Sequence, residues 1–501
     1  MTTKSFYLLL ILIFVSFFSK AQIVNIPDAN FKNALVNEPV AALFVGGGWQ
    51  DVDSNNDGEI QASEAENVKW LHLDNFNIGY GIVSMIGIEY FINLEVLNID
   101  FNEVINLDLS QNSNLEVLSC RHNEISVLNL SQNENLTDIL AMYNNIAFLD
   151  VSQNQNLDFL ECHNNLIEEL VLGNHPLLTN IQAGDNLISN LNISGCPSLE
   201  YFSIPINQLE NIDLSTNLNL TSLDCGQNNL QSLDLSNSTN LYQLLCYENQ
   251  LTSLVLPNSE SLAYIHVRGN QLSQLDITGV PNLNFLSCSD NNLINLNTNQ
   301  NPLLTELYFY KNYISNIDLS NNLDLTAVWG HENHLINLDF SNHLNLTEIL
   351  VNDNYLQNLN ISNYNNNSIT KFTAFGNPNL GCIQVDDEIF ANEQVCGDLT
   401  DFPYFTGWCK DTIASYSEFC ELGVADFSIP NIVLFPNPAT YTLNIQTEQK
   451  IDSVRIYSIQ GVLVEEFLQT KQIDISQLFE GVYFVEIISD GSSTTKRFIK
   501  S

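Results

Sequence analysis

Basic residues are scarce in this chain: Lys and Arg number 15 against 58 Asp and Glu, a formal net charge of −43 at pH 7. Six of the fifteen (Lys450, Arg455, Lys471, Lys496, Arg497 and Lys500) lie beyond residue 433, so the middle of the chain is almost free of positive charge. Such a surface repels phosphate backbones and anionic headgroups, which excludes nucleic acid and direct membrane binding as partner classes. Long apolar runs are also lacking. Beyond residue 18 none approaches the roughly 20 residues that span a bilayer, so no transmembrane segment is expected. Hydrophobic residues, by contrast, make up 45% of the 501 positions. That is enough for a continuous core and excludes wholesale disorder. The length admits several ordinary domains or one elongated array with caps.

The first residues read as a secretory signal (residues 1–21). Lys4 supplies the positive end, Phe6 to Phe18 is an apolar run of thirteen residues, and Ser19-Lys20-Ala21 forms a small-residue cleavage site before Gln22. Export would place the ten cysteines in an oxidising compartment, where disulfides persist.

From Leu94 the chain repeats every 21 residues. The leading leucine recurs at Leu115, Leu136, Leu157, Leu178, Leu199, Leu220, Leu241, Leu262, Leu283, Leu304, Leu325 and Leu346, and an Asn follows each after eight residues, from Asn102 through Asn228 to Asn354. The fourth and sixth positions (Leu97 and Ile99) are two apart and so face one side of a short strand. The Asn turns the chain, and its amide can pair with backbone groups of neighbouring turns. Val104, Leu107 and Leu109 fill the rest of the coil. One such unit cannot bury its apolar face; stacking on the next one does.

This pattern resembles the leucine-rich repeats of secreted bacterial surface proteins, over roughly residues 70 to 380. The expected fold is a β-rich solenoid of about 13–14 repeats (residues 93–380), with an α-helical N-terminal cap (22–92), a cysteine-bearing C-terminal cap (381–428) and a terminal β-sandwich (429–501). A parallel β-helix is the competing fold. Cys120, Cys162, Cys225, Cys246 and Cys288 all fall in the sixth position, where Ile, Val and Ala stand elsewhere. They read as small core residues rather than metal ligands.

The N-terminal cap opens with IPDANFKNALV, in which Pro27 suits a first helical turn and Phe31, Ala34 and Leu35 share a stripe. DSNNDGEIQASE follows. Counted from Asp53, it sets Asp53, Asn55 and Asp57 at positions 1, 3 and 5, Gly58 at 6, the Glu59 carbonyl at 7 and Glu64 at 12, the ligand spacing of an EF-hand calcium loop. A weak, structural calcium site is expected.

After the last regular repeat Asn365–Asn367 adds two residues, and a segment with Cys382, Cys396, Cys409 and Cys420 follows, for which three disulfide connectivities exist. It is similar to the segments that close repeat arrays in the secreted bacterial family; that resemblance implies nested pairs, Cys382–Cys420 and Cys396–Cys409. From Phe435 short alternating strands with turns between them suggest a small sandwich. It resembles the C-terminal sorting domain of the type IX secretion system of Bacteroidetes-type bacteria, on Pro436-Asn437-Pro438, Gly461, Gly481-Val482-Tyr483 and the basic end Lys496-Arg497-Phe498-Ile499-Lys500. The resemblance implies the type IX machinery as a partner and passage across the outer membrane of a Gram-negative cell. Release, or attachment to surface lipopolysaccharide after processing, would follow.

Function has to be read from the outward strand columns. Early units carry mixed residues there, such as Val96, Ser119, Glu161 and Gln182. Later units carry Tyr247, Tyr264, His266, Arg268, Phe285, Tyr308, Tyr310, Trp329 and His331. With strands ~4.8 Å apart, Tyr308 should neighbour Trp329, and Tyr310 should neighbour His331. Aromatics with Arg are the usual composition of binding hot spots, and flat rings also suit sugars. The sequence therefore predicts a secreted or cell-surface adhesion protein that binds an extracellular protein or glycan. A polysaccharide-active enzyme is disfavoured by scattered acids, and a structural surface-layer component by the variation of the outward columns.

Overall fold

The computed structural model describes residues 22–44, 46–74, 80–420, 433–447, 450–458, 462–489 and 492–501. The expected signal segment and Gly461 lie outside the described residues. The chain divides into two compact units, with the boundary between Glu418 and Phe419.

The first unit opens with a helix, Ala29–Asn37, that buries Phe31, Ala34 and Leu35. Its N-cap is Asp28, whose carboxylate accepts from the amides of Asn30 and Phe31. Pro27 therefore precedes the cap instead of sitting in the first turn, because a side-chain cap satisfies amide donors that a proline at the first position does not. Strand Ala41–Ala42 then pairs antiparallel with Trp70–His72, which starts the parallel ladder against Val96–Asn98.

From there the chain forms a β-solenoid of about 14 turns with the 21-residue period. Every turn contributes its third to fifth residues to one 17-stranded sheet, in the register Val96↔Val117, Ser222↔Gln243 and Tyr308↔Trp329. Shorter parallel strands line the opposite side, for example Phe148–Asp150 with Glu169–Val171 and Asn337–Asp339 with Asn358–Asn360. The leucines at the first and fourth positions are buried throughout. Each is worth ~1.5–3 kcal/mol on burial. The sixth-position thiols are buried as well, and burial pushes those of Cys162 and Cys288 up to about 12, so they stay protonated packing groups.

Two polar ladders run through this core. Each repeat Asn spans two turns: Asn228 Oδ1 accepts from the Leu209 amide at 3.0 Å, while its amide nitrogen donates to the carbonyls of Ile204, Cys225 and Gly226. The residue before it is left-handed wherever it is not glycine, from Phe101 (φ 59°) through Gln227 (φ 52°) to Asp353 (φ 53°). That conformation costs about 1 kcal/mol at a non-glycine residue. The Asn hydrogen bonds offset it. The second ladder begins at Asn112, Asn133 and Asn154, whose amides donate to carbonyls of the preceding turn.

The two added residues at 365–367 are absorbed by a 3₁₀ turn, Asn366–Ser368, and the ladder resumes with Glu348 paired to Lys371. The cysteine-bearing segment then continues the coil. Gly407–Cys409 joins the long sheet beside Lys371–Thr373, while Cys382–Gln384 and Ser415–Ser417 extend the opposite one. Cys396 and Cys409 form a disulfide, and Cys382 and Cys420 are also disulfide-bonded. Buried Trp408 closes the core, donating its indole N–H to the Ile369 carbonyl.

The second unit is sandwich-like, with a three-stranded antiparallel sheet and a four-stranded one around a core that includes Leu443, Ile456, Val485 and Phe498.

Candidate ligand-binding face

The outward columns of the long sheet are the third, fifth and seventh positions of each turn. Parallel pairing in a 21-residue register sets equivalent positions one above another, so aromatic side chains in the same column, or in adjoining columns of successive turns, meet. Tyr264 and Phe285 stack at 4.0 Å between ring centroids, Phe285 meets Tyr308 edge-on at 5.4 Å, and Tyr308 stacks on Trp329 at 4.5 Å. Tyr247 stacks on His266 at 5.0 Å and Tyr310 on His331 at 4.4 Å. All nine residues singled out in sequence therefore lie on one stretch of sheet. Tyr247 needs a glycine behind it: a Cβ on Gly226 would fall 2.5 Å from its ring.

Most of these side chains are half-buried by one another. The Tyr308 hydroxyl donates to Glu306, and the Trp329 indole donates to Glu348 at 3.0 Å. Lys371 pairs with Glu348 at 2.8 Å and lies 5.8 Å from the Trp329 ring centre. Burial raises the Tyr308 phenol, with Glu306 adding to the effect.

His331 departs from the expectation of an outward residue. It is only 4% exposed, because the loop bridged by Cys396–Cys409 folds back and sets Phe402 edge-on against its ring at 5.1 Å. The alternation of the strand could not reveal a cover supplied from some seventy residues away. Burial, with Lys311 adding, lowers the His331 pKa from 6.5 to about 3. The folded state thus resists a proton that the unfolded chain accepts. Stability is retained above pH 6.5 and falls as the pH drops towards 3. The loss approaches about 1.4 kcal/mol per pH unit across that window. Denaturant titrations between pH 7 and pH 4 should show a shallower decline in His331→Gln than in wild type.

Two further aromatic sets went unnoticed in the sequence. Phe101, His122 and Tyr143 occupy the left-handed position of three successive turns and stack at 4.4 and 4.3 Å. Tyr313, His334 and Tyr355, two residues further along the turn, lie 5.6 and 5.5 Å apart and line a groove of 710 Å³ with Glu332 and Asp353. Their signal was a 21-residue recurrence outside the strand columns.

In the N-terminal loop Asp53 is buried and accepts from the amides of Asp57 and Gly58; Gly58 has the left-handed φ of 81° expected at the sixth position. Asn55 accepts from the Asp57 amide, Asp57 from the Glu59 amide, and Glu64 from the amides of Asn55 and Gln61. The Gln61 amide nitrogen donates to both Asp57 carboxylate oxygens and to the Glu59 carbonyl at 3.0–3.3 Å. Three of the oxygens that the calcium reading assigns as ligands thus converge on one donor. Among the described residues, no three His, Cys, Asp or Glu side chains form a metal-holding group. An all-oxygen set that includes an amide and a carbonyl fits a hard cation, provided the Gln61 amide gives way.

In the terminal unit, Gly481–Ser489 and Ser492–Lys500 form the longest hairpin. Asn437 holds its last strand, accepting from the Ile499 amide at 2.8 Å and donating to the Arg497 carbonyl. Tyr483 stacks on Phe498 at 5.7 Å, and Lys496 and Arg497 are exposed. Residues 433–501 match the secretion system C-terminal sorting domain. This is a type IX sorting domain, and it marks the chain as a secreted or cell-surface protein of Bacteroidetes-type bacteria. Among the described residues no helix is long and apolar enough to cross a membrane.

Solved structures share the solenoid. The functional domain of InlJ from Listeria monocytogenes, described as including a cysteine ladder, is 20% identical with a TM-score of 0.60, covering 96% of this chain and 100% of that one. A leucine-rich-repeat protein of Leptospira interrogans is 23% identical with a TM-score of 0.51, over 58% of this chain and 81% of that one. The fold is a leucine-rich-repeat solenoid. Comparison with curated proteins finds no match.

Proposed function

We propose that this is an extracellular adhesion protein that holds a protein or glycan ligand on the aromatic stretch of its long sheet and performs no chemistry of its own. The observation that carries this reading is the unbroken run Tyr264–Phe285–Tyr308–Trp329, four rings in contact on successive turns of an otherwise acidic coil. Rings held by one another lose little freedom on binding, which favours affinity. Burial lowers the pKa of His266 and His331, and neither pairs with a carboxylate among the described residues; His163, which does pair with Glu161 at 3.3 Å, lies outside the aromatic stretch. A glycan array and a pull-down from natural surfaces with the secreted chain test the reading; binding that ignores substitutions on this stretch counts against it.

The sorting domain is proposed to direct passage through the type IX machinery and then to be removed, leaving the solenoid released or attached to surface lipopolysaccharide. Deleting residues 430–501 should leave a folded solenoid trapped in the periplasm, as cell fractionation would show. Surface display of that truncation would argue for another role.

The oxygens of Asp53, Asn55, Asp57, Glu59 and Glu64 are proposed to hold Ca²⁺, which would rigidify the N-terminal cap. EGTA, or Asp53→Ala, should lower the cap's melting temperature. Identical melting curves with and without Ca²⁺ would count against the site.

A further inference from the structure

Only four basic residues stand among the regular repeats, residues 94–380: Arg121, Arg268, Lys311 and Lys371. Arg121 pairs with buried Asp100 at 2.8 Å, and Lys371 with Glu348. Arg268 differs. Its guanidinium makes no ion pair and no hydrogen bond among the described residues, and its Nε is buried without an acceptor. Glu248 and Asp290 occupy the left-handed position of the adjoining turns, yet neither reaches it. A half-buried guanidinium with no carboxylate partner, in a chain of net charge −43, leaves an unneutralised positive charge that an external anion can meet.

The surroundings define what fits. On the turn after Arg268 the fifth and seventh positions are Ser287 and Ser289, both buried, whereas the turns on either side carry His266 with Arg268 and Tyr308 with Tyr310. Both columns lack an aromatic on that turn, and the side chains of the turns on either side cover Ser287 and Ser289, so Arg268 lies in an aromatic-flanked patch two strand spacings long, ~9.6 Å. Phe285 closes one end of it, edge-on to His266 at 6.4 Å and to Tyr308 at 5.4 Å. The positive field of Arg268 reaches both sides: it adds to the burial that lowers the His266 pKa, and it opposes the burial that raises the Tyr310 phenol. With His266 neutral, the guanidinium is the positive charge of the patch.

We propose that this patch takes one anionic sugar unit, its carboxylate or sulfate group against Arg268 and its ring on the flanking aromatics. A guanidinium presents a planar fork that matches an oxyanion with two parallel hydrogen bonds. The ligand as a whole is otherwise neutral, because the acidic surface beyond the patch repels a polyanion. The inference rests on ligand binding by the strand face and specifies its chemistry.

The test measures binding of the full secreted chain to neutral xylan, galactan and mannan oligosaccharides, beside the same backbones carrying one uronic acid or one O-sulfate. The expected result is at least tenfold tighter binding of an acidic member than of its neutral match; the uronate and sulfate arms identify which group is preferred. Arg268→Gln should abolish that preference, bringing each acidic member down to the affinity of its neutral match. It should not lower the melting temperature, since the guanidinium has no protein partner to lose. Equal binding of neutral and acidic members, or a preference that survives Arg268→Gln, overturns the inference and leaves the strand-face reading standing. If no oligosaccharide binds, the inference fails. The broader reading is then judged separately, by whether Trp329→Ala reduces capture of the protein on natural surfaces.

Discussion

Asn228→Ala should cost the solenoid about 3 kcal/mol or more, among the largest effects of any single side chain. The side chain satisfies the Leu209 amide and donates to carbonyls of two turns, and all of these groups are removed from water. Alanine leaves them buried without partners, and it also removes the compensation for the left-handed Gln227 beside it. Because each turn contacts only its neighbours, the damage should be local, dividing the array into two folded segments. Chemical denaturation followed by circular dichroism should show a lower midpoint with a broadened or split transition. An unchanged midpoint would mean that the carbonyls find other partners.

Trp329→Ala and Tyr308→Ala should each weaken ligand binding by about 2 kcal/mol, roughly 30-fold. The two rings stack at 4.5 Å and sit at the C-terminal end of the aromatic run. The substitutions should also lower stability modestly. Trp329 contributes an indole hydrogen bond to Glu348 and packs beside the cluster of Leu350 and Phe405, so it is partly a packing residue. Aromatic pairs of this kind add ~0.5–1.5 kcal/mol beyond area burial. Binding is therefore compared at a temperature where circular dichroism shows each variant folded. Val117→Ala and Gln182→Ala, in outward positions of early turns, should have little effect on binding. Full affinity in the folded double variant would move the site elsewhere, to the opposite side of the coil or the cap.

The period made most of the fold legible. A leucine every 21 residues and an Asn eight positions later specify which residues enter the core, and the two-residue slip at 365–367 appears in the structure as the change from a 21- to a 23-residue register. The aromatic columns were legible because a parallel register converts sequence spacing into vertical neighbourhood. Tyr308 meets Trp329, and Tyr310 meets His331, for that reason. The stack of Phe101, His122 and Tyr143 was missed because those residues precede the ladder Asn and lie outside the alternating strand.

What the sequence by itself determined is everything that a strict repeat makes local: the solenoid, its inward and outward columns, the Asn ladder and the acidic character of the coil. Stacking is a nearest-neighbour interaction, so a pattern within 21 residues suffices to dictate it. Only the tertiary structure decided what happens where the chain leaves that rule. The loop tied by Cys396–Cys409 lays Phe402 over His331, turning a position that alternation marks as exposed into a buried neutral imidazole. The isolation of Arg268 is equally tertiary. Whether a cation is paired depends on the reach of carboxylates from adjoining turns, and that distance is set by side-chain packing rather than by the period.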